Sequence, residues 1–182
     1  FKMGFQYANV GLIRMLPGSE METQLSRETY GLKTKFRYIA GFMGIYDSVP
    51  VCEVEESIIE TSTMSFEEVL KIRFVHFISW AFWNSGLGQP LLRHLHDKHG
   101  INPLDALLQI QNTKNKKISR FLADYTAEVR NEWFDTEEAA HEFFRKSASD
   151  GRFEEAQKPN LKYLAKILLD KRLAEAMLED IA

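Results

Sequence analysis

The sequence predicts a mixed α/β to mainly α chain: one short βα unit near its start and helices through most of the rest. Three observations carry this. Residues 66–83 are apolar on almost every side and follow an S-x-x-E capping box, Ser65 to Glu68. Beyond Gly86 the apolar residues recur at helical spacing and the links between periodic stretches are short. Residues 10–16, VGLIRML, form an apolar run that stops at Pro17-Gly18 and enters a second capping box, Ser19 to Glu22.

The run at 10–16 does not alternate, which suits a strand covered on both faces, as in a parallel sheet. Gly31 follows Tyr30 where a left-handed residue ends a helix, so strand, tight turn and helix make one βα half-unit. Parallel strands need neighbours brought by crossovers, and nothing else in the chain clearly repeats this unit. Residues 32–50 read as irregular with at most one strand, at the alternating Lys33, Lys35 and Arg37. Gly41, Gly44, Asp47, Ser48 and Pro50 mark a loop. Residues 51–61 are rich in β-branched residues and read as extended chain.

Residues 66–83 then predict a central core helix about 27 Å long. Lys71, Arg73 and His76 interrupt it, so it falls short of the ~20 uninterrupted apolar residues of a membrane span. Gly86, Gly88 and Pro90 end it. A short helix follows over 90–98, stopped by Gly100. Asn102 caps the next, with Pro103 at its first position, running to about Asn112. Ile118, Phe121, Leu122, Tyr125, Val129 and Glu132-Trp133 follow the spacing of an amphipathic helix. Asp135 caps another, broken at Ser149-Asp150-Gly151. Asn160 caps a last helix whose stripe is Leu161, Leu164, Ile167, Leu168, Ala174, Met177, Leu178 and Ile181. The expected boundary lies near residue 61, with 1–61 and 62–182 on either side.

The 182 residues suffice for one substantial domain or two small ones, and 45% hydrophobic with 27% charged residues is ordinary for a globular chain. A net charge of −3, with both signs mixed along the chain, offers no basic field for nucleic acid. The single cysteine, Cys52, excludes a disulfide framework and a cysteine-held cluster or zinc ribbon made by this chain alone, and reads as a small buried hydrophobe. No signal or transit peptide is present, so the expected compartment is cytoplasmic. The chain begins at Phe1 and turns apolar within ten residues, as a piece of a longer polypeptide would.

Few residues point to chemistry. His94, His96 and His99 fail as metal ligands, because at about 100° per residue His94 and His96 lie some 200° apart on a helix. Glu53, Glu55, Glu56 and Glu60 read as a solvated strand face, and Glu67 and Glu68 as helix-start acids. Lys114, Lys116 and Lys117 are too small a patch for nucleic acid. Arg14 is the exception. A guanidinium inside an apolar strand needs a partner, which is either a structural carboxylate or the carboxylate of a ligand held bidentately. The turn after it lies at the carboxyl end of the strand, where parallel sheets and barrels carry ligands.

Two stretches resemble a known family. Residues 11–22, GLIRMLPGSEME, are similar to the last barrel strand and following turn of radical S-adenosylmethionine enzymes, an apolar strand into P-G-S/T-E. Residues 31–75, with GLKTKFR and VEESIIETSTMSFEEVLKIRF, resemble the subgroup that carries an N-terminal cobalamin-binding domain. There a glycine-lysine-threonine-lysine run and an E-x-x-x-x-T-x-S/T-M-S/T-x-E-E/D segment follow the barrel. The similarity covers roughly residues 4–80.

The resemblance implies the last βα unit of a partial radical-enzyme barrel followed by a C-terminal helical domain. Such enzymes cleave S-adenosylmethionine reductively at a 4Fe–4S cluster. The cluster motif C-x-x-x-C-x-x-C, the glycine-rich adenosylmethionine contacts and the cobalamin domain are absent here, so they would belong to a missing N-terminal portion of the same polypeptide. This chain alone is expected to bind none of these cofactors and to be inactive. What carries over is that Arg14, Met15, Leu16, Pro17 and Ser19 border the adenosylmethionine in the parent enzyme. No catalytic residue, metal ligand or substrate is assigned, and no membrane partner is expected. The alternative is a self-contained helical interaction module without catalysis.

Overall fold

The structure is a computed structural model that describes residues 7, 9–151 and 158–182. The fold is mixed α/β with helices in the majority. The described residues divide into two compact units: 12–70 with 130–151 and 158–162, and 7 and 9–11 with 71–129 and 163–182. These units interleave along the chain.

The first unit is built on a hairpin. Strand β1 (Lys33–Tyr46) pairs antiparallel with β2 (Val49–Glu60). Asp47 and Ser48 join them, with φ of 49° and 66°. A two-residue turn with both φ positive twists in the same sense as the strands it links. The short strand expected near 33–38 therefore runs on to Tyr46, and the loop expected from Gly41 to Pro50 is the end of that strand, a two-residue turn and the start of β2. The glycines of β1 are not turn residues. Gly41, at φ 83°, lies in an irregularity between Tyr38 and Met43, where β1 gains extra residues against β2. Gly44 pairs with Val51, and a Cβ there would come within 3.1 Å of the Tyr46 ring.

The run at 10–16 is extended, but it does not become a strand covered on both faces. It lies along the other edge of β2, antiparallel, with Arg14 opposite Ser57. The Met15 N–H donates to the Glu56 carbonyl (2.8 Å), and the Ile58 N–H donates to the Ile13 carbonyl (3.0 Å). Met15 is buried, while Ile13 and Leu16 are 56% and 61% exposed. The hairpin offers this segment an edge within the chain, so no parallel neighbour is needed for the pairing. Phe134 covers the β1 edge, exchanging two backbone hydrogen bonds with Phe36 at 2.8 and 2.9 Å.

The turn after Arg14 runs from Leu16 to Ser19, closed by Ser19 N–H to the Leu16 carbonyl at 3.1 Å. Pro17 and Gly18 (φ 78°) fill the two central positions of a type II turn. Ser19 does not cap a helix. Glu20–Glu22 make a single 3₁₀ turn, and the Glu22 carboxylate reaches back to accept the Gly18 N–H at 2.6 Å. Helix α1 (Gln24–Tyr30) starts instead at Thr23, whose hydroxyl accepts the Ser26 N–H, and ends at Gly31 in the left-handed conformation.

Helix α2 (Phe66–Ser79) opens on the expected capping box: Ser65 N–H donates to Glu68 Oε2 (2.8 Å) and Glu68 N–H to Ser65 Oγ (3.4 Å). Helix α6 (Glu137–Ser149) packs on the hairpin, with Ala140 and Phe144 against Tyr38 and Cys52. Its N-cap is Thr136, not Asp135, because Asp135 is drawn to Lys35 at 2.6 Å.

The second unit is helical. Residues 71–79 of α2 continue into a π turn, Trp80–Asn84, followed by α3 (Gln89–His99), α4 (Pro103–Leu108) and α5 (Lys116–Asn131), whose residues to 129 belong here. Phe77, Ile78, Ala81 and Phe82 are fully buried, as the central core helix required. Gly88 is small for a reason: a Cβ there would meet the Phe82 carbonyl at 3.1 Å. Asn102 caps α4 through Leu104 N–H, as its Asn-Pro start predicts. Phe77 stacks on Tyr125 at 4.1 Å, and Tyr163 meets both Phe121 and Tyr125 edge-on. The predicted last helix is two, α7 (Pro159–Leu169) and α8 (Lys171–Ile181). Asp170 interrupts them and caps α8 through Leu173 N–H. Ile167, Ala174, Met177 and Ile181 are buried, but Leu161 and Leu168 are exposed, so the stripe is not continuous.

Candidate functional site

The candidate site grows from the face of the hairpin unit that carries Arg14. In the register, Arg37 stands opposite Glu55 and Lys35 opposite Ser57, and Arg14 stands opposite Ser57 on the other edge. These residues share a face because side chains alternate along each strand. Glu55 is the centre. Its side chain is 3% exposed and meets three cations. Arg37 Nε donates to Oε1 at 2.6 Å, Lys158 Nζ donates to the same oxygen at 3.3 Å, and Arg14 Nε lies against Oε2. The last contact is an ion pair rather than an aligned hydrogen bond. Arg37 is buried too. It reaches Glu132 at 3.5 Å and lies 5.1 Å over the Trp133 ring.

The electrostatics follow from this crowding. Burial pushes the Glu55 carboxyl up, but Arg37, Lys158 and Arg14 outweigh it and hold the group below its ordinary value. Burial and the nearby Arg37 push the Lys158 ammonium down to about 8, against the opposing pull of Glu55.

Of the residues the sequence singled out, Arg14 has a structural carboxylate as its partner. Met15 is buried beneath the strand, and Leu16 and Pro17 are exposed on the turn. Ser19 is half-buried, and its hydroxyl has no hydrogen-bond partner among the described residues. The acidic strand is not the solvated face it was expected to be. Glu55 is buried, and Glu56 on the opposite face accepts from Arg27 (3.0 Å) and Thr34. Of the group only Glu53 is exposed; Glu56 and Glu60 are half-buried.

The signal for this cluster lay in two matched alternations. Lys33, Lys35 and Arg37 face Glu60, Ser57 and Glu55 once the chain turns at Asp47-Ser48. No pattern points to Glu132 or Lys158, which arrive from distant parts of the chain.

Cys52 is buried, with Sγ 3.5 Å from His141 Nδ1, beside a cavity of about 310 Å³ lined also by Val49, Phe144 and Arg145. Burial raises the thiol above its ordinary value despite Arg145, so it stays protonated and packs as the small hydrophobe it was expected to be. His94 and His99 lie on the exposed side of α3, with rings 5.8 Å apart, and His96 is half-buried. Among the described residues no three His, Cys, Asp or Glu side chains come together as a metal site. No helix among them is long and apolar enough to cross a membrane. No family model matches the chain, and a search of curated proteins finds no match.

Proposed function

We propose that this chain is the C-terminal part of a radical S-adenosylmethionine enzyme of the cobalamin-binding-domain subgroup. It would complete the barrel with residues 10–16 and pack a helical domain on it. One observation supports this reading above the others. The two stretches that resemble the family meet at one carboxylate: Arg37 pairs with Glu55 across the hairpin, and Arg14 of the strand-like run joins the same Glu55. The outer edge of residues 12–16 also suits a preceding strand. Among the described residues nothing bonds to the backbone N–H or C=O of Arg14.

In this reading the 4Fe–4S cluster and any cobalamin are held by the upstream portion, since Cys52 is the single cysteine here. Adenosylmethionine bound there supplies the radical chemistry. Met15, Leu16 and Pro17 contribute the strand end that borders it, and Arg14 and Ser19 contribute polar groups. The unpartnered Ser19 hydroxyl fits a hydrogen bond to such a ligand.

The test is the full reading frame around this chain, expressed, purified without oxygen and reconstituted with iron and sulfide. A cysteine triad upstream and reductive formation of deoxyadenosine from S-adenosylmethionine are expected. The chain alone should give neither a stoichiometric cluster nor deoxyadenosine. A reading frame without a cysteine triad would leave the helical interaction module as the better reading.

A further inference from the structure

One cavity of the hairpin unit is apolar, reaches solvent and carries a single cation. It measures about 310 Å³ and lies between the start of β2 and α6. Val49, Pro50, Val51 and Phe144 are its apolar wall, and Cys52, His141 and Arg145 complete it. Small-molecule pockets have this make-up, mostly apolar with a few polar groups, at volumes of ~300–1,000 Å³. Val49 and Val51 are 55% and 42% exposed, so apolar surface of the cavity stands in water. Apolar surface rimmed by polar groups marks a binding groove.

The polar groups differ in what they have left to give. Both ring nitrogens of His141 are engaged: Nδ1 lies 3.5 Å from Cys52 Sγ, and Nε2 lies 3.4 Å from Glu137 Oε1. The guanidinium of Arg145 has neither a hydrogen bond nor an ion pair among the described residues. Glu137 of the same helix is turned to His141 instead. The charge of Arg145 is felt inside the cavity, because it pulls the Cys52 thiol down against the effect of burial.

We propose that this cavity binds a small monocarboxylate with an apolar body, the body against Val49, Val51 and Phe144 and the carboxylate on the Arg145 guanidinium. The planar fork of Arg145 presents two parallel donors, which a carboxylate accepts with both oxygens. One unpartnered cation matches one negative charge, which favours a carboxylate over a doubly charged phosphate. The contacts to Cys52 and Glu137 fix the His141 ring, so this wall is formed before a ligand arrives and little has to be ordered on binding. The ligand is small because the cavity is at the lower end of the pocket range. This inference does not depend on the enzyme reading, because it uses only β2 and α6.

The test is an amide NMR titration of the intact chain with hexanoate, beside acetate and hexanol at equal ionic strength. Acetate keeps only the charge of hexanoate, and hexanol only its apolar body. Hexanoate should give saturable shifts at Val51, Cys52, His141, Phe144 and Arg145. Its Kd should lie about fivefold below that of hexanol, the share that a partly exposed ion pair adds. Acetate should give no saturable shifts. Arg145→Gln should raise the hexanoate Kd to that of hexanol and leave the hexanol Kd unchanged. Arg145 is exposed and its guanidinium has no partner among the described residues, so this variant keeps the fold, and its amide spectrum checks that directly. Val49→Asp puts a negative charge on the exposed wall and should weaken hexanoate more than hexanol. No saturable shifts with hexanoate, shifts confined to other residues, hexanol bound as tightly as hexanoate, or an unchanged hexanoate Kd in Arg145→Gln would each overturn the proposal.

Discussion

The two units solve the same problem with different chemistry. The helical unit fills its interior with Phe77, Phe82, Tyr125, Tyr163 and Ile167, all nearly inaccessible to solvent. The hairpin unit buries Arg37, Glu55 and Ser57 beside a smaller apolar set. Apolar burial is non-directional and tolerates exchange. A buried ion cluster is stable only while each member keeps its partners. The helical unit should therefore lose stability in proportion to the volume removed. The hairpin unit should lose it in proportion to the charge left alone.

The sharpest way to break this contrast is Glu55→Ala. It leaves Arg14, Arg37 and Lys158 around an empty centre, and should cost about 3–5 kcal/mol in chemical denaturation. A loss below ~1 kcal/mol would mean that the cations find water instead, and the contrast would fail. Phe77→Ala is the matching change in the helical unit. Phe77 is fully buried and stacked on Tyr125, so the cavity should cost about 3–4 kcal/mol. Refilling the site with Phe77→Leu should recover most of that, whereas no apolar replacement should restore Glu55.

Lys158 sharpens the electrostatic side. Its folded value near 8 lies below the unfolded value of about 10.4. Between the two the unfolded chain holds a proton that the folded chain has released, so stability contributed by Lys158 rises with pH across that window. The stability difference between the native chain and Lys158→Met should climb from pH 8 towards pH 10.5. A flat difference would show that Lys158 is not held in the cluster. The smallest effect belongs to neither interior. Ser65→Ala should cost about 1 kcal/mol by removing the cap of α2, and Ser65→Asp should be nearly neutral in the same denaturation measurement.

The contrast also explains what could be read in advance. Residues 66–83, the Asn102-Pro103 helix start and the 118–129 stripe carry their structure in apolar spacing, and each formed as that spacing predicts. The hairpin did not announce itself. Gly41, Gly44 and Pro50 look like loop residues until the β1 bulge and register are known. Glu55 looks like a solvated acid because its partners are set by pairing across the strands. Arg14 was recognisable as a charge in need of a carboxylate, but not Glu55 as that carboxylate. The turn type hidden in Asp47-Ser48, two non-glycine residues with positive φ, is the missing step between the two.

The hairpin register has a consequence for the order of folding. Arg37 and Glu55 are 18 residues apart and meet when the hairpin closes, whereas Lys158 is 103 residues from Glu55. Closing the longer loop costs more chain entropy, so the early hairpin forms with Glu55 already answered by Arg37. Lys158 joins a pair that is complete without it. Its contribution should fall after the rate-limiting step, so that Lys158→Met changes the unfolding rate and leaves the folding arm of a chevron unchanged. The last cation to arrive thus acts on the finished unit rather than guiding it into place.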